Sequence, residues 1–174
     1  MHYSTKYLTS FVAFSLLFLF AISTFAREKY ELDSAARSKV SGSFIELPQG
    51  IMHYEITGSD TSKTVLLVCG FSAGYYIWDS TFQYLKNAGF KVIRYNHYGR
   101  GYSERACGEY DKAFYQKEIK ELLKALNITE RIHIIASSMG GAISTEFAIY
   151  NPDKVKSVVL IDPMLAGLKS KAIH

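Results

Sequence analysis

The chain has 174 residues, of which 48% are hydrophobic, 14% aromatic and 21% charged, with a formal net charge of +4. That is length for one compact domain, and the apolar share excludes a disordered chain. The basic residues are spread rather than clustered, which argues against a nucleic-acid partner, and two cysteines exclude a disulfide-rich scaffold or a four-cysteine zinc site.

Residues 1–26 hold a single charge, Lys6, followed by the apolar run Leu8 to Ile22 and the small-x-small exit Thr24-Phe25-Ala26. A basic start, an apolar centre and a small-residue exit predict a secretory signal peptide and an exported (secreted or periplasmic) domain. The run is shorter than the roughly 18–20 apolar residues that span a bilayer, so membrane association is expected only if residues 8–25 remain as an uncleaved anchor. Export permits a Cys69–Cys107 disulfide, but the simpler reading makes Cys69 a buried small hydrophobe and Cys107 a loop thiol.

Residues 27–42 are polar and read as a linker ahead of a domain at 43–174. Ser43 to Leu47 and Ile51 to Thr57 flank Pro48-Gln49-Gly50 and predict a hairpin. The uninterrupted apolar run Thr64 to Cys69 predicts a strand buried on both faces. Helical spacing follows over Trp78 to Asn87, then a strand over Lys91 to Asn96. From about Asp111 to Leu126 a helix is predicted by the stripe Tyr115, Ile119, Leu122, Leu123 and Leu126, with Lys117, Glu118, Lys120, Glu121 and Lys124 on a solvated face. Arg131 to Ala136 reads as a strand, Met139 to Tyr150 as a helix and Val155 to Ile161 as another buried strand. Strands alternating with helices make this an α/β domain with a mostly parallel sheet.

Between RIHIIA and the following helix stands Ala136-Ser137-Ser138-Met139-Gly140-Gly141. A serine on a tight strand-to-helix turn needs small neighbours, and such a turn presents the Ser138 hydroxyl above the sheet while the Met139 N–H opens the helix toward an oxyanion. The plain alternative is a helix N-cap serine.

A second loop, Cys69-Gly70-Phe71-Ser72-Ala73-Gly74-Tyr75-Tyr76-Ile77-Trp78-Asp79, follows the strand TVLLVC. With these two loops, residues 94–105 (RYNHYGRGYSER) and 155–163 (VKSVVLIDP), the sequence resembles the α/β-hydrolase superfamily in its serine esterase and lipase-like branch. The resemblance covers about Phe44 to Leu165. It implies Ser138 as nucleophile, the backbone N–H groups of Phe71 and Met139 as oxyanion hole, no cofactor or metal, and a small acyl or ester substrate. Tyr75, Tyr76 and Trp78 are candidates to wall an acyl pocket, with core packing the alternative for Trp78; Ser137 and Ser103 are rival hydroxyls, expected to turn away and to serve a loop. Two positions depart from the family: Cys69 stands where a histidine is usual, removing any imidazole support of the oxyanion loop, and Asn96 where an aspartate is common.

A serine needs a histidine to accept its proton and a carboxylate to orient that histidine. Asp162 is the candidate acid. His2, His53 and His133 are unsuited, His97 precedes the nucleophile, His174 is too near it, and so the catalytic histidine is unassigned. The resemblance thus implies an N-terminal portion of a hydrolase, ending after the sixth strand, inactive by itself. The alternatives are an inactive pseudoenzyme or binding module, and an acyltransferase or C–C hydrolase of the same fold. The oligomeric state is left open.

Overall fold

The computed structural model describes residues 11–17 and 32–164. The chain divides into two units, residues 1–39 and 40–174. In the first, residues 11–17 are helical, and a short helix α1 (Ser34–Arg37) interrupts the stretch read as a linker, its N-terminus capped by Asp33. Among the described residues no helix is long and apolar enough to cross a membrane. Most of residues 1–26, read as a signal peptide, lie outside the described residues.

The second unit carries one six-stranded sheet. Its strands are β1 (Ser43–Leu47), β2 (Gly50–Thr57), β3 (Thr64–Val68), β4 (Lys91–Tyr95), β5 (Ile132–Ser138) and β6 (Val155–Pro163), in the order β1-β2-β4-β3-β5-β6. The expected hairpin is present, with Ser43 opposite Tyr54 and Leu47 opposite Gly50. β2 pairs antiparallel with β4, and the remaining pairs are parallel. Helices α2 (Asp79–Asn87), α3 (Lys112–Ala125) and α4 (Met139–Tyr150) complete the unit, and a 3-10 turn (Tyr75–Trp78) leads into α2.

The central strand β3 is buried along its whole length. Strand residues alternate between faces: Val65, Leu67 and Cys69 pack with Trp78 and Phe82, whereas Leu66 and Val68 join the larger core with Ile119, Leu122 and Phe147 of α3 and α4. This two-sided cover makes a continuous apolar run a parallel strand. Trp78 is therefore a core residue.

Two expectations are corrected. β6 is not a buried strand: only Val155 is buried, while Val159, Leu160 and Ile161 are exposed, because among the described residues β6 forms the sheet edge. Glu118 does not belong to the solvated face of α3 but is fully buried. It stands three residues after Tyr115 and four before Leu122, within the apolar stripe, and a partner described below makes its burial tolerable.

Candidate functional site

β5 ends and α4 begins at Ser138, which adopts φ 50° and ψ −123°. A non-glycine residue at positive φ costs on the order of 1–3 kcal/mol and persists only where its surroundings impose it. The Ser138 side chain makes no capping hydrogen bond and the residue is exposed, so the helix-cap alternative does not hold. The turn is fixed from behind: a Cβ at Gly140 would lie 2.4 Å from the Cys69 carbonyl oxygen and 2.7 Å from that of Val68. Only glycine there lets the first turn of α4 rest on the end of β3.

The loop after β3 reaches the same point. A Cβ at Gly70 would lie 3.0 Å from Ser138 Cβ, so glycine allows the loop backbone to pass directly beside the serine. The structure thus brings together Ser138, Met139 at the start of α4, and the Gly70–Phe71 peptide. Phe71 is 62% exposed, and its ring packs under the Arg100 guanidinium at 4.4 Å. Arg100 Nε also donates to the Phe71 carbonyl oxygen at 2.5 Å.

Asp162 occupies a bulge. Ile161 pairs with Ser137 and Pro163 with Ser138, leaving Asp162 as the extra residue at φ 44° and exposed. The Met164 N–H donates to the Ser138 carbonyl at 2.9 Å, which ties the exit of β6 to the serine turn.

The three described histidines are all engaged elsewhere. His133 Nδ1 lies 2.8 Å from Ser157 Oγ across β5 and β6. His53 is buried in a network that fixes its tautomer. Asn96 Oδ1 accepts from the Tyr75 N–H at 2.8 Å, so the Asn96 amide NH2 donates to His53 Nδ1, also at 2.8 Å, and His53 Nε2–H donates to the Ser41 carbonyl at 2.8 Å. Burial, the largest influence, lowers the His53 pKa and keeps the ring neutral. Ser103 serves this loop: its hydroxyl donates to the Asn96 carbonyl at 2.6 Å and accepts from the His53 N–H at 2.9 Å. Ser137, the other rival hydroxyl, is half-buried in the β5–β6 ladder. His2 and His174 lie outside the described residues.

His97 was legible only as a loop residue at the right end of the sheet. Its Nδ1 lies 2.5 Å from Glu118 Oε2 and its Nε2 3.2 Å from the Cys69 carbonyl oxygen. Glu118 Oε1 also accepts from the Tyr98 N–H at 2.8 Å. The expectation that the loop lacks imidazole support, drawn from Cys69 in place of a histidine, is therefore corrected: the imidazole of His97 comes from the loop after β4. The Cys69 thiol is buried and pushed up to about 12, mainly by that burial, and both cysteines are free. Cys69 is a packing residue, not a nucleophile.

One cavity of about 310 Å³ is lined by Met139, Ile143, Tyr110, Tyr115 and Met164, among others, and adjoins the serine turn. Another of about 550 Å³ is lined by the loop after β3 and includes Tyr75, Tyr76, His53 and Arg100. The two tyrosines expected at an acyl pocket thus line the second cavity, and Ser138 does not.

Comparison with known proteins agrees with this fold. Residues 63–172 match the sequence profile of the alpha/beta hydrolase fold. A Yersinia enterocolitica protein provisionally named carbamate hydrolase RutD is 32% identical over 128 residues, covering 71% of this chain and 45% of its own. A 2-hydroxy-6-oxononadienedioate/2-hydroxy-6-oxononatrienedioate hydrolase of Paraburkholderia xenovorans is 31% identical over 136 residues, covering 74% and 46%. Among solved structures, one from work on carboxylesterases of the thaumarchaeon Nitrososphaera gargenis superposes with a TM-score of 0.67 at 30% identity, covering 70% of this chain and 46% of that one. The chain spans less than half the length of these relatives. By the match over most of its length, the chain belongs to the alpha/beta hydrolase fold family.

Proposed function

We propose that Ser138 is the nucleophile of a serine hydrolase acting on small carboxylic esters or related acyl substrates, through an acyl-enzyme. Its carbonyl substrate would be polarised by the N–H groups of Phe71 and Met139. The observation that carries this reading is the strained, uncapped Ser138 beside the Gly70–Phe71 peptide. Strain at an exposed hydroxyl is of use when that hydroxyl reacts. In the proposed cycle the Ser138 oxygen attacks the carbonyl carbon, a base takes the hydroxyl proton, and the oxyanion is held by the two N–H groups. The alcohol leaves with a proton, and water releases the acid. Asp162 is the proposed acid, from its place in the bulge beside Ser138; the base is unassigned. Labelling by a serine-directed fluorophosphonate, located by peptide mass spectrometry, tests the reading. Label on Ser138, lost in Ser138→Ala, supports it; an unlabelled Ser138 in folded protein overturns it.

A second reading, a binding module of the same fold without turnover, is favoured by the engagement of all three described histidines with other partners. Saturable binding of short-chain esters without product formation would select it. We also propose export under direction of residues 1–26, tested by the N-terminal sequence of the protein recovered outside the cytoplasm.

A further inference from the structure

The segment following β4 grips the loop following β3 at three points. Asn96 Oδ1 accepts from the Tyr75 N–H at the far end of the loop. His97 Nε2 meets the Cys69 carbonyl oxygen at 3.2 Å, and Arg100 Nε donates to the Phe71 carbonyl at 2.5 Å. The two ring nitrogens of His97 face the Glu118 carboxyl group and the Cys69 carbonyl oxygen, an arrangement that favours the protonated ring. Glu118 supplies the counter-charge and holds the Tyr98 N–H with its second oxygen.

The placing of these contacts has a geometrical meaning. The N–H of Phe71 belongs to the Gly70–Phe71 peptide. The carbonyls of Cys69 and Phe71 belong to the peptide planes immediately before and after it. Gly70 is the residue about which the middle plane would turn most freely, since glycine populates more backbone states than any other residue. Holding the planes on either side restricts that freedom. The Arg100 guanidinium adds a stacked contact on the Phe71 ring at 4.4 Å, which resists rotation of the same residue.

We propose that Arg100 and the buried Glu118–His97 pair are positioning residues that orient the Phe71 N–H toward the oxyanion formed at Ser138. This inference rests on the reading of Ser138 as nucleophile and adds residues which that reading does not use. A donor aimed before the reaction contributes to the transition state without reorganisation, and loss of one such donor typically costs about 100- to 1000-fold in rate. A donor left in place but loosened should cost less, on the order of 10-fold.

The experiment compares the parent chain with Arg100→Gln, Arg100→Lys and Glu118→Gln in two measurements. One is the rate of fluorophosphonate labelling of Ser138; the other is amide hydrogen exchange of residues 70–74. Arg100 is half-buried in a loop and outside the two core clusters, so Arg100→Gln is expected to stay folded, checked by its unfolding midpoint, while exchange in the loop speeds up. Labelling should slow by roughly 10-fold. Arg100→Lys, which keeps the charge but lacks the planar fork, should fall between Gln and parent. Unchanged exchange in both Arg100→Gln and Glu118→Gln overturns the inference. Faster exchange with an unchanged labelling rate overturns it too, because the clamp would then only shape the loop. A parent chain unlabelled at Ser138 removes the nucleophile reading, and the grip on the loop is then decided by exchange alone.

Discussion

His97 Nδ1 and Glu118 Oε2 stand 2.5 Å apart with both side chains out of reach of solvent, one from the loop after β4 and one from the middle of α3. Burial pulls the His97 pKa down, but the Glu118 charge and hydrogen bond and the bond to the Cys69 carbonyl outweigh it, so the net shift is upward from 6.5. The edges of Tyr95 and Tyr115 pack around the ring, and the nearby Arg100 charge opposes protonation.

The sign of the resulting pH dependence follows. A histidine whose folded pKa is raised contributes stability that is complete below the unfolded value, 6.5, and is lost as pH rises through the folded value. The difference in urea unfolding free energy between the parent and Glu118→Gln should therefore be largest below pH 6.5 and shrink at higher pH. At its largest it should be about 3–5 kcal/mol, the usual cost of breaking a buried ion pair. A difference that is flat with pH would mean the ring is neutral throughout.

Asn96 and His53 predict the opposite shift. An amide can both accept from the Tyr75 N–H and donate to the neutral His53 ring; a carboxylate can only accept. Asn96→Asp therefore forces a proton onto His53 Nδ1 and places a negative charge beside it. The His53 pKa, lowered by burial in the parent, should rise well above its parental value, read from the imidazole proton shifts in an NMR titration. In the parent, a depressed histidine destabilises the fold as pH falls below 6.5, and Asn96→Asp should relieve that loss. An unshifted His53 would show that Asn96 is not its partner.

The legibility of the chain follows the range of its interactions. Helical spacing located α3 and an unbroken apolar run located β3, because both patterns are local responses to a nearby core. The serine turn and the glycine loop were legible because close backbone approach leaves glycines in the sequence, as at Gly70 and Gly140. Glu118 was misassigned because charge usually marks a solvated face; only its partner, 21 positions away in sequence, makes its burial affordable. One signal did exist: Glu118 falls at i+3 from Tyr115, inside the apolar stripe. The exposure of β6 was not legible in its composition, since a run of Val, Leu and Ile reads alike at a sheet centre and at an edge; only its place as sixth strand in the family resemblance pointed to an edge.

The backbone at Ser138 provides a test independent of any substrate. At φ 50° and ψ −123° glycine is at ease and serine is not. Ser138→Gly should raise the unfolding free energy by about 1 kcal/mol by releasing this strain, while Ser138→Ala keeps a Cβ and gains nothing of the kind. Both abolish fluorophosphonate labelling at this position. Equal stability of the two variants would mean that the turn stores no strain.

Gly140 poses the contrary case, in which adding a methyl group should harm. Alanine is a better helix former than glycine by about 1 kcal/mol, which by itself would favour Gly140→Ala. Against this, the new Cβ would lie 2.4 Å from the Cys69 oxygen and 2.7 Å from the Val68 oxygen. Both are backbone atoms of the buried central region, so neither can swing aside as a side chain would. α4 must then lift off the end of β3, and overpacking of this kind costs about 1–3 kcal/mol or more. The clash should win, giving a net loss of up to about 2 kcal/mol in urea unfolding. The same displacement would carry Met139 and Ser138 away from the Gly70–Phe71 peptide, so labelling of Ser138 should slow even in the folded fraction. A Gly140→Ala chain as stable and as reactive as the parent would show that α4 does not rest on β3 in this way.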